Sequence, residues 1–381
     1  MEANSNFPET NLQSGYFFGF GTYNHNNSSE WIYRLNKPKT GIMAGITHFG
    51  NTEKIGLAYS IVPFTEFSLN KSRTFFVQLG MGASYFNTIY DSVYNPLNKG
   101  IATKINWSFK SLLFYQLKET NQIKYKIGVG YFHHSNGHTR LPNQGLNSFL
   151  VSVAAEIKTN PNKTSKESNV PHHQRSTYNF IKTRFGLGQN ALSEYFNTKK
   201  EVYNFSFSYG KVINKTYKLE VGAYYRVYEH YYDYIRNEEQ LITEEYQHFI
   251  KNPFGYASNV GVFGSGELLL GHVGMEFQLG LNIYKPFYPI DYKLNGGYDY
   301  EYETPEGTQI AVVLGELDWY YEIKKSISAR MGLNYYFINT NKTPQHNFFL
   351  GAHINANLGQ ADFSELSAGY VYSFHYKQKN R

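Results

Sequence analysis

The sequence predicts an all-β protein built as a single transmembrane antiparallel β-barrel of about 14 strands, within a range of roughly 12 to 16. The first observation behind this is a repeated alternation, in which segments of about ten residues carry apolar side chains at every second position. That is the pattern of a tilted strand crossing hydrocarbon with one face to lipid and the other to the lumen. The second is composition: 36 Tyr and 29 Phe among 381 residues, with a mean hydropathy of −0.50. A buried tyrosine needs a partner for its hydroxyl, whereas at a membrane interface the ring lies in lipid and the hydroxyl meets water, so the surplus fits aromatic girdles. The third is that no run of 18 apolar residues exists, which leaves strands as the means of spanning.

Residues 1–13 read as a short polar lead-in to one domain covering 1–381. Met1 to Asn6 has neither a basic nor an apolar region of the signal-peptide kind, so a mature chain is expected. Gly15 to Tyr23, Gly41 to Phe49 and Lys54 to Pro63 are the first strand candidates. Thr74 to Tyr85 alternates clearly, with Phe75, Val77, Leu79, Met81, Ala83 and Tyr85 on one face. Lys104 to Lys118 follows, with Ile105, Trp107, Phe109, Leu113, Tyr115 and Leu117 together. In Gln122 to His134 the odd positions are Ile123, Tyr125, Ile127, Val129, Tyr131 and His133, against Lys124, Lys126, Gly128, Gly130, Phe132 and His134. Asn147 to Lys158 closes the first half of the chain.

In the second half the candidates are Tyr178 to Gly188, Tyr203 to Tyr209, Tyr217 to Tyr228, Asn259 to Leu270, His272 to Ile283, Ile310 to Tyr321, Ser326 to Phe337, Phe348 to Asn357 and Glu365 to Tyr376. The last resembles the aromatic-rich terminal strand of outer-membrane proteins. Thr159 to Thr177, Glu229 to Tyr256 and Lys285 to Gln309 read as extracellular loops, and Asn214-Lys215-Thr216 as a periplasmic turn.

Several function classes fall away. A formal charge of +6 is modest, and its lysines are spread over strand ends and loops rather than gathered on one face, so nucleic-acid binding is not expected. The absence of Cys excludes disulfides and thiolate metal sites. His133, His134 and His138 do not make a zinc site, because alternation puts His133 and His134 on opposite faces. Gly186 to Ala191 matches a loose dinucleotide fingerprint without its βαβ context. Glu238, Glu239, Glu244 and Glu245 read as a solvated loop face, and Tyr228, Tyr231, Tyr232 and Tyr234 as girdle packing.

The segment that carries chemistry is His133-His134-Ser135-Asn136-Gly137. His133 and Ser135 are two apart on one strand and share its apolar face, so an imidazole there can serve as general base to the hydroxyl. Asn136, beside the nucleophile, is a candidate oxyanion donor. A third group should orient the imidazole from the same face of the next strand, and Asn147 meets that condition. Glu156 falls on the opposite face. The plain alternative is an interface histidine followed by ordinary Ser-Asn-Gly turn chemistry.

Phe132-His133-His134-Ser135-Asn136-Gly137, followed by Pro142-Asn143-Gln144-Gly145-Leu146-Asn147, resembles the signature of the lipid A deacylase and acyloxyacyl hydrolase-like outer-membrane proteins of Bacteroidota. Gly80 to Tyr90, Gly266 to Pro286 and Gly351 to Tyr370 are similar to that family as well. The resemblance implies His133 as base, Ser135 as nucleophile and Asn136 at the oxyanion hole. Characterised lipid A deacylases use a Glu as third member, where this chain has Asn147. Outer-membrane phospholipase A shares His-x-Ser-Asn-Gly, uses an Asn there, and works as a calcium-dependent dimer.

The expectation is therefore an esterase of the Gram-negative outer membrane that acts on membrane lipid, lipid A of lipopolysaccharide first and phospholipid second. No cofactor is expected, with calcium reserved for the phospholipase reading. A non-catalytic barrel associated with other outer-membrane proteins is the competitor, and a transport pore a third option.

Overall fold

The computed structural model describes residues 7–23, 27–159, 173–296, 298–304, 307–313 and 318–378. These residues divide into two compact units. One holds 7–136 and 143–173, and the other holds 137–142 and 174–381.

The first unit is a seven-stranded antiparallel sheet in chain order: β1 (Ser14–Tyr23), β2 (Lys39–His48), β3 (Leu57–Ser68), β4 (Phe75–Phe86), β5 (Ile105–Glu119), β6 (Ile123–Ser135) and β7 (Leu146–Ile157). Period-two alternation makes its two faces chemically opposite. On the outward face Tyr59, Ile61, Leu113, Val129, Phe149 and Val151 are exposed. On the inward face Lys126 pairs with Glu66 at 2.5 Å and with Glu156 at 3.2 Å, and Lys39 meets Glu156 at 3.0 Å. Glu156 thus lies across the sheet from the Ser135 face, as its parity requires.

The second unit contains a closed antiparallel barrel. Its strands are β8 (Ser176–Asn190), β9 (Lys200–Ile213), β10 (Tyr217–Tyr228), β11 (Ser258–Leu270), β12 (Val273–Tyr284), β15 (Ile327–Tyr336), β16 (His346–Asn357) and β17 (Gln360–Gln378). β17 pairs with β8, Leu366 opposite Leu187, and this closes the ring. β13 (Tyr298–Thr304) and β14 (Gly307–Val313) form a separate hairpin. Instead of one barrel of about 14 strands, the described strands form a closed barrel of eight and a sheet of seven. Alternation marks which side chains face out, but it does not say which strand ends a sheet.

The interior of the closed barrel is polar and filled. Glu276 accepts from Arg330 at 2.7 Å and Lys182 at 2.9 Å, Arg330 also reaches Glu365 at 2.9 Å, and Lys218 pairs with Glu267 at 2.9 Å. All of these residues are buried, while Phe185, Leu187, Phe205, Phe207, Leu279 and Leu281 are exposed on the outside. At the end holding the turn 214–216, a cavity of about 20 Å³ bordered by Tyr178, Lys218 and Tyr336 has room for roughly one water.

Two of the expected polar loops are folded caps. Between β10 and β11 lie helices α1 (Glu229–Arg236), α2 (Gln240–Glu244) and α3 (Pro253–Tyr256), and after β12 comes α4 (Tyr288–Leu294). Tyr228, Tyr231, Tyr234, Ile235, Phe249 and Phe287 are buried together there. Of the tyrosines read as girdle residues, Tyr228, Tyr231 and Tyr234 are therefore core residues of this cap and Tyr232 packs against it half-buried, with Tyr231 stacked on Phe287 at 4.1 Å. The i, i+3, i+7 spacing of Tyr228, Tyr231 and Ile235 is the helical signal that the count of aromatics obscured.

The described residues of Ile310 to Tyr321, expected as a strand, divide between β14 and α5 (Asp318–Ser326). Of Thr159 to Thr177, residues 160–172 lie outside the described residues. Its far end enters β8 at the barrel end that carries the turn 214–216, as Thr177 pairing with Ile213 shows, and not at the capped end with the other long connections.

Candidate active site

The site is assembled on β6, β7 and the connection between them. Side chains on a strand alternate, so His133 and Ser135 share the outward face of β6. In the antiparallel register His133 stands opposite Asn147, the second residue of β7. Directly opposed residues bring their Cβ atoms to about 5 Å, which is the reach of an imidazole and a carboxamide. His133 Nδ1 lies 2.7 Å from Asn147 Oδ1. An amide oxygen only accepts, so Nδ1 carries the proton and Nε2 is left with its lone pair, the tautomer a general base needs. Tyr131, stacked parallel to the His133 ring at 6.3 Å, donates its hydroxyl to the same Asn147 oxygen at 2.5 Å. That second donor favours the orientation in which the amide presents oxygen, and not NH₂, to the histidine.

Ser135 is the last residue of β6 and keeps 5% of its surface exposed, and Asn136 is buried. The chain then returns so that Asn143 meets both. Asn143 Nδ2 donates to Ser135 Oγ at 3.0 Å, and Asn143 Oδ1 accepts the backbone N–H of Asn136 at 3.0 Å. The next two residues are tied down by backbone bonds, Gln144 N–H to the Lys99 carbonyl and Gly145 N–H to the Gly100 carbonyl. Gly145 has φ +72°, and a Cβ there would stand 2.9 Å from His133 Cε1. The sequence pattern contained Asn143 and Gly145, but alternation could not assign them a role because they lie outside a strand.

His134 points the other way. Its ring is boxed by Phe49, Phe86 and Phe132, and its Nδ1 is 3.0 Å from Ser108 Oγ, which continues through Ser84 to Ser60 in a buried hydroxyl chain. The inner face of the sheet thus holds β6 in register by side-chain bonds, and register decides whether His133 meets Asn147. Among the described residues, no group of three or more His, Cys, Asp or Glu side chains is placed to hold a metal ion.

A closed antiparallel barrel with charged residues inside and aromatic and aliphatic residues outside inverts the soluble arrangement, and so defines a membrane-spanning β-barrel protein. Residues 4–156 match the family model described as lipid A 3-O-deacylase (PagL). The matched stretch, less than half of the chain, contains β1 to β6, nearly all of β7, and every residue of the candidate site. No curated protein matches the chain. Among solved structures, an outer membrane channel from Pseudomonas putida F1 aligns with 8% identity over 98% of this chain and 100% of that one, at a TM-score of 0.19. OpdK of Pseudomonas aeruginosa, solved with vanillate, aligns with 7% identity over 89% and 68%, at 0.16. A mutant porin of Rh. blastica gives 9% identity over 95% and 100%, also at 0.16.

Proposed function

We propose that this protein is an acyl-ester hydrolase of the Gram-negative outer membrane that removes an acyl chain from lipid A. The observation that carries the reading is the bond from His133 Nδ1 to Asn147 Oδ1, which frees Nε2 on the strand face that also carries Ser135. The family match over residues 4–156 supports lipid A as the substrate.

In the proposed reaction Ser135 Oγ adds to the ester carbonyl while His133 Nε2 takes its proton, and the carbonyl π pair moves onto oxygen. Collapse breaks the ester bond, and the leaving alkoxide takes the proton from His133. Water, deprotonated by His133, then releases the fatty acid and restores Ser135. Asn147 holds the imidazole, and Asn136 belongs to the shell around the oxyanion.

Asn147 in place of a carboxylate favours phospholipid as the second reading. The pore reading is opposed by the ion pairs that fill the closed barrel. A fluorophosphonate probe applied to outer membranes tests the enzyme against a scaffold. Labelling that vanishes in Ser135→Ala supports the hydrolase, and equal labelling of both proteins, or of neither, counts against it.

A further inference from the structure

The connection between β6 and β7 divides its residues between the two units: Asn136 and Asn143 belong with the seven-stranded sheet, and 137–142 with the closed barrel. Within that second unit the six residues are fastened through their backbone. Asn197, in the connection between β8 and β9, grips Leu141 at both of its backbone groups. Its Oδ1 accepts the Leu141 N–H at 2.8 Å, and its Nδ2 donates to the Leu141 carbonyl at 2.6 Å. Earlier in the segment the His138 carbonyl accepts the Ala191 N–H at 2.9 Å, and the Gly137 carbonyl accepts from Ser364 Oγ at 3.3 Å. The clamp itself stands on the cap. Leu192 belongs to the cap core and Phe196 packs against it, and the Leu192 N–H reaches the Phe196 carbonyl at 3.1 Å to close the turn that leads into Asn197. Asn295, which follows α4, donates to the Leu192 carbonyl at 3.0 Å.

We infer that Asn197 is a positioning residue for the candidate active site, and that the unit containing the closed barrel serves the reaction by holding the connection between β6 and β7. This rests on the hydrolase reading and gives a task to a part of the chain that lies beyond the matched stretch 4–156. Leu141 stands just ahead of Asn143, which touches Ser135, and of Asn147, which holds His133. A carboxamide that pairs with the N–H and the carbonyl of one residue fixes that residue as a rung of an antiparallel ladder does, in place and in direction. Connections between strands are otherwise the parts of a fold that open most easily. A misplacement of about 1 Å, made far from the chemistry, is enough to cost about 10² in rate. Asn197 therefore acts through Leu141 and the chain that follows it, and not by contact with the reacting atoms.

The test compares wild type with Asn197→Ala and Asn197→Asp in the full-length protein. It reads kcat and KM on a chromogenic acyl ester, the rate of fluorophosphonate labelling, and the rate of trypsin cleavage after Arg140, followed by mass spectrometry. Arg140 is exposed and directly precedes the gripped residue, so cleavage there reports on the clamp itself. Ala removes both bonds, while Asp keeps the acceptor for the Leu141 N–H and turns a second acceptor on the carbonyl. Both variants are expected to lower kcat and labelling by about ten- to a hundredfold, with KM within about threefold of wild type. Cleavage after Arg140 should rise by about tenfold or more as the open form is populated. Glu276→Ala, which loosens the closed barrel without touching either partner of the clamp, should leave all three readouts of the folded band at wild-type values. Faster cleavage with wild-type kcat would mean that the connection is held for stability alone, and unchanged cleavage that Asn197 does not hold it. Either result overturns the assignment with the hydrolase intact. Should Asn197→Ala give no heat-modifiable folded band, Asn197→Asp, equal in size, carries the same comparison. If wild type itself neither turns over ester nor reacts with fluorophosphonate, the hydrolase reading and this inference fail together, whatever the trypsin rates.

Discussion

Gly145 and His133 are coupled by an absence: the position is left-handed, at φ +72°, and a methyl there would stand 2.9 Å from the imidazole Cε1. Gly145→Ala should therefore displace the ring as well as strain the backbone, the latter by about 1–2 kcal/mol. Fluorophosphonate labelling of Ser135 should drop at least tenfold, beyond what so small a loss of stability explains. Unchanged labelling would mean that the ring has room to move aside without leaving Asn147.

Asn147 gives a graded expectation. Asn147→Ala removes the acceptor at 2.7 Å from His133 and should lower kcat by a factor on the order of 10². Asn147→Glu offers a full charge to the imidazolium and should retain more activity than Asn147→Ala. Steady-state kinetics on a soluble acyl ester decides between them, and equal rates for both variants would remove Asn147 from the mechanism.

The closed barrel yields a stability prediction. Glu276 is buried and accepts from Arg330, Lys182 and Asn334, so Glu276→Ala leaves two buried cations short of a partner. The cost is expected at roughly 3–5 kcal/mol, read as a lower unfolding midpoint on a heat-modifiability gel. Ser135 should still label in whatever fraction stays folded.

A pH effect is expected at His138, in the connection after β6. Burial holds its pKa down at about 4, with Asp362 opposing that shift. The folded state therefore keeps His138 neutral, while the unfolded chain takes up a proton below the ordinary 6.5. Stability should fall as pH drops from about 6.5 to about 4 and level off below that. His138→Asn, which tolerates the φ of 68° found here, should flatten this part of the curve. Parallel midpoint-against-pH curves for the two proteins would show that His138 does not contribute.

Most strands were legible because their pattern is set by the environment of each face: lipid outside and charge inside leave a period of two in the sequence. β10, Tyr217–Tyr228, was read with its boundaries unchanged. The division into a sheet and a closed barrel was not legible, since pairing β17 with β8 is a long-range choice that alternation does not encode. Nor was the cap, where Tyr231 and Tyr234 read as interface residues until the helix buried them. At the site, strand parity was enough to bring Asn147 to His133. Asn143 escaped because the shape of a loop is set by bonds such as those to Lys99 and Gly100, which no local period announces.

The most direct measurement is mass spectrometry of lipid A and phospholipid from cells expressing wild type or Ser135→Ala at matched outer-membrane levels. Loss of one acyl chain from lipid A in the wild type alone is the predicted result. Lysophospholipid in its place would move the substrate to phospholipid. Identical lipids in both strains, with the barrel present and folded, would contradict the claim that Ser135 is the nucleophile of a lipid hydrolase.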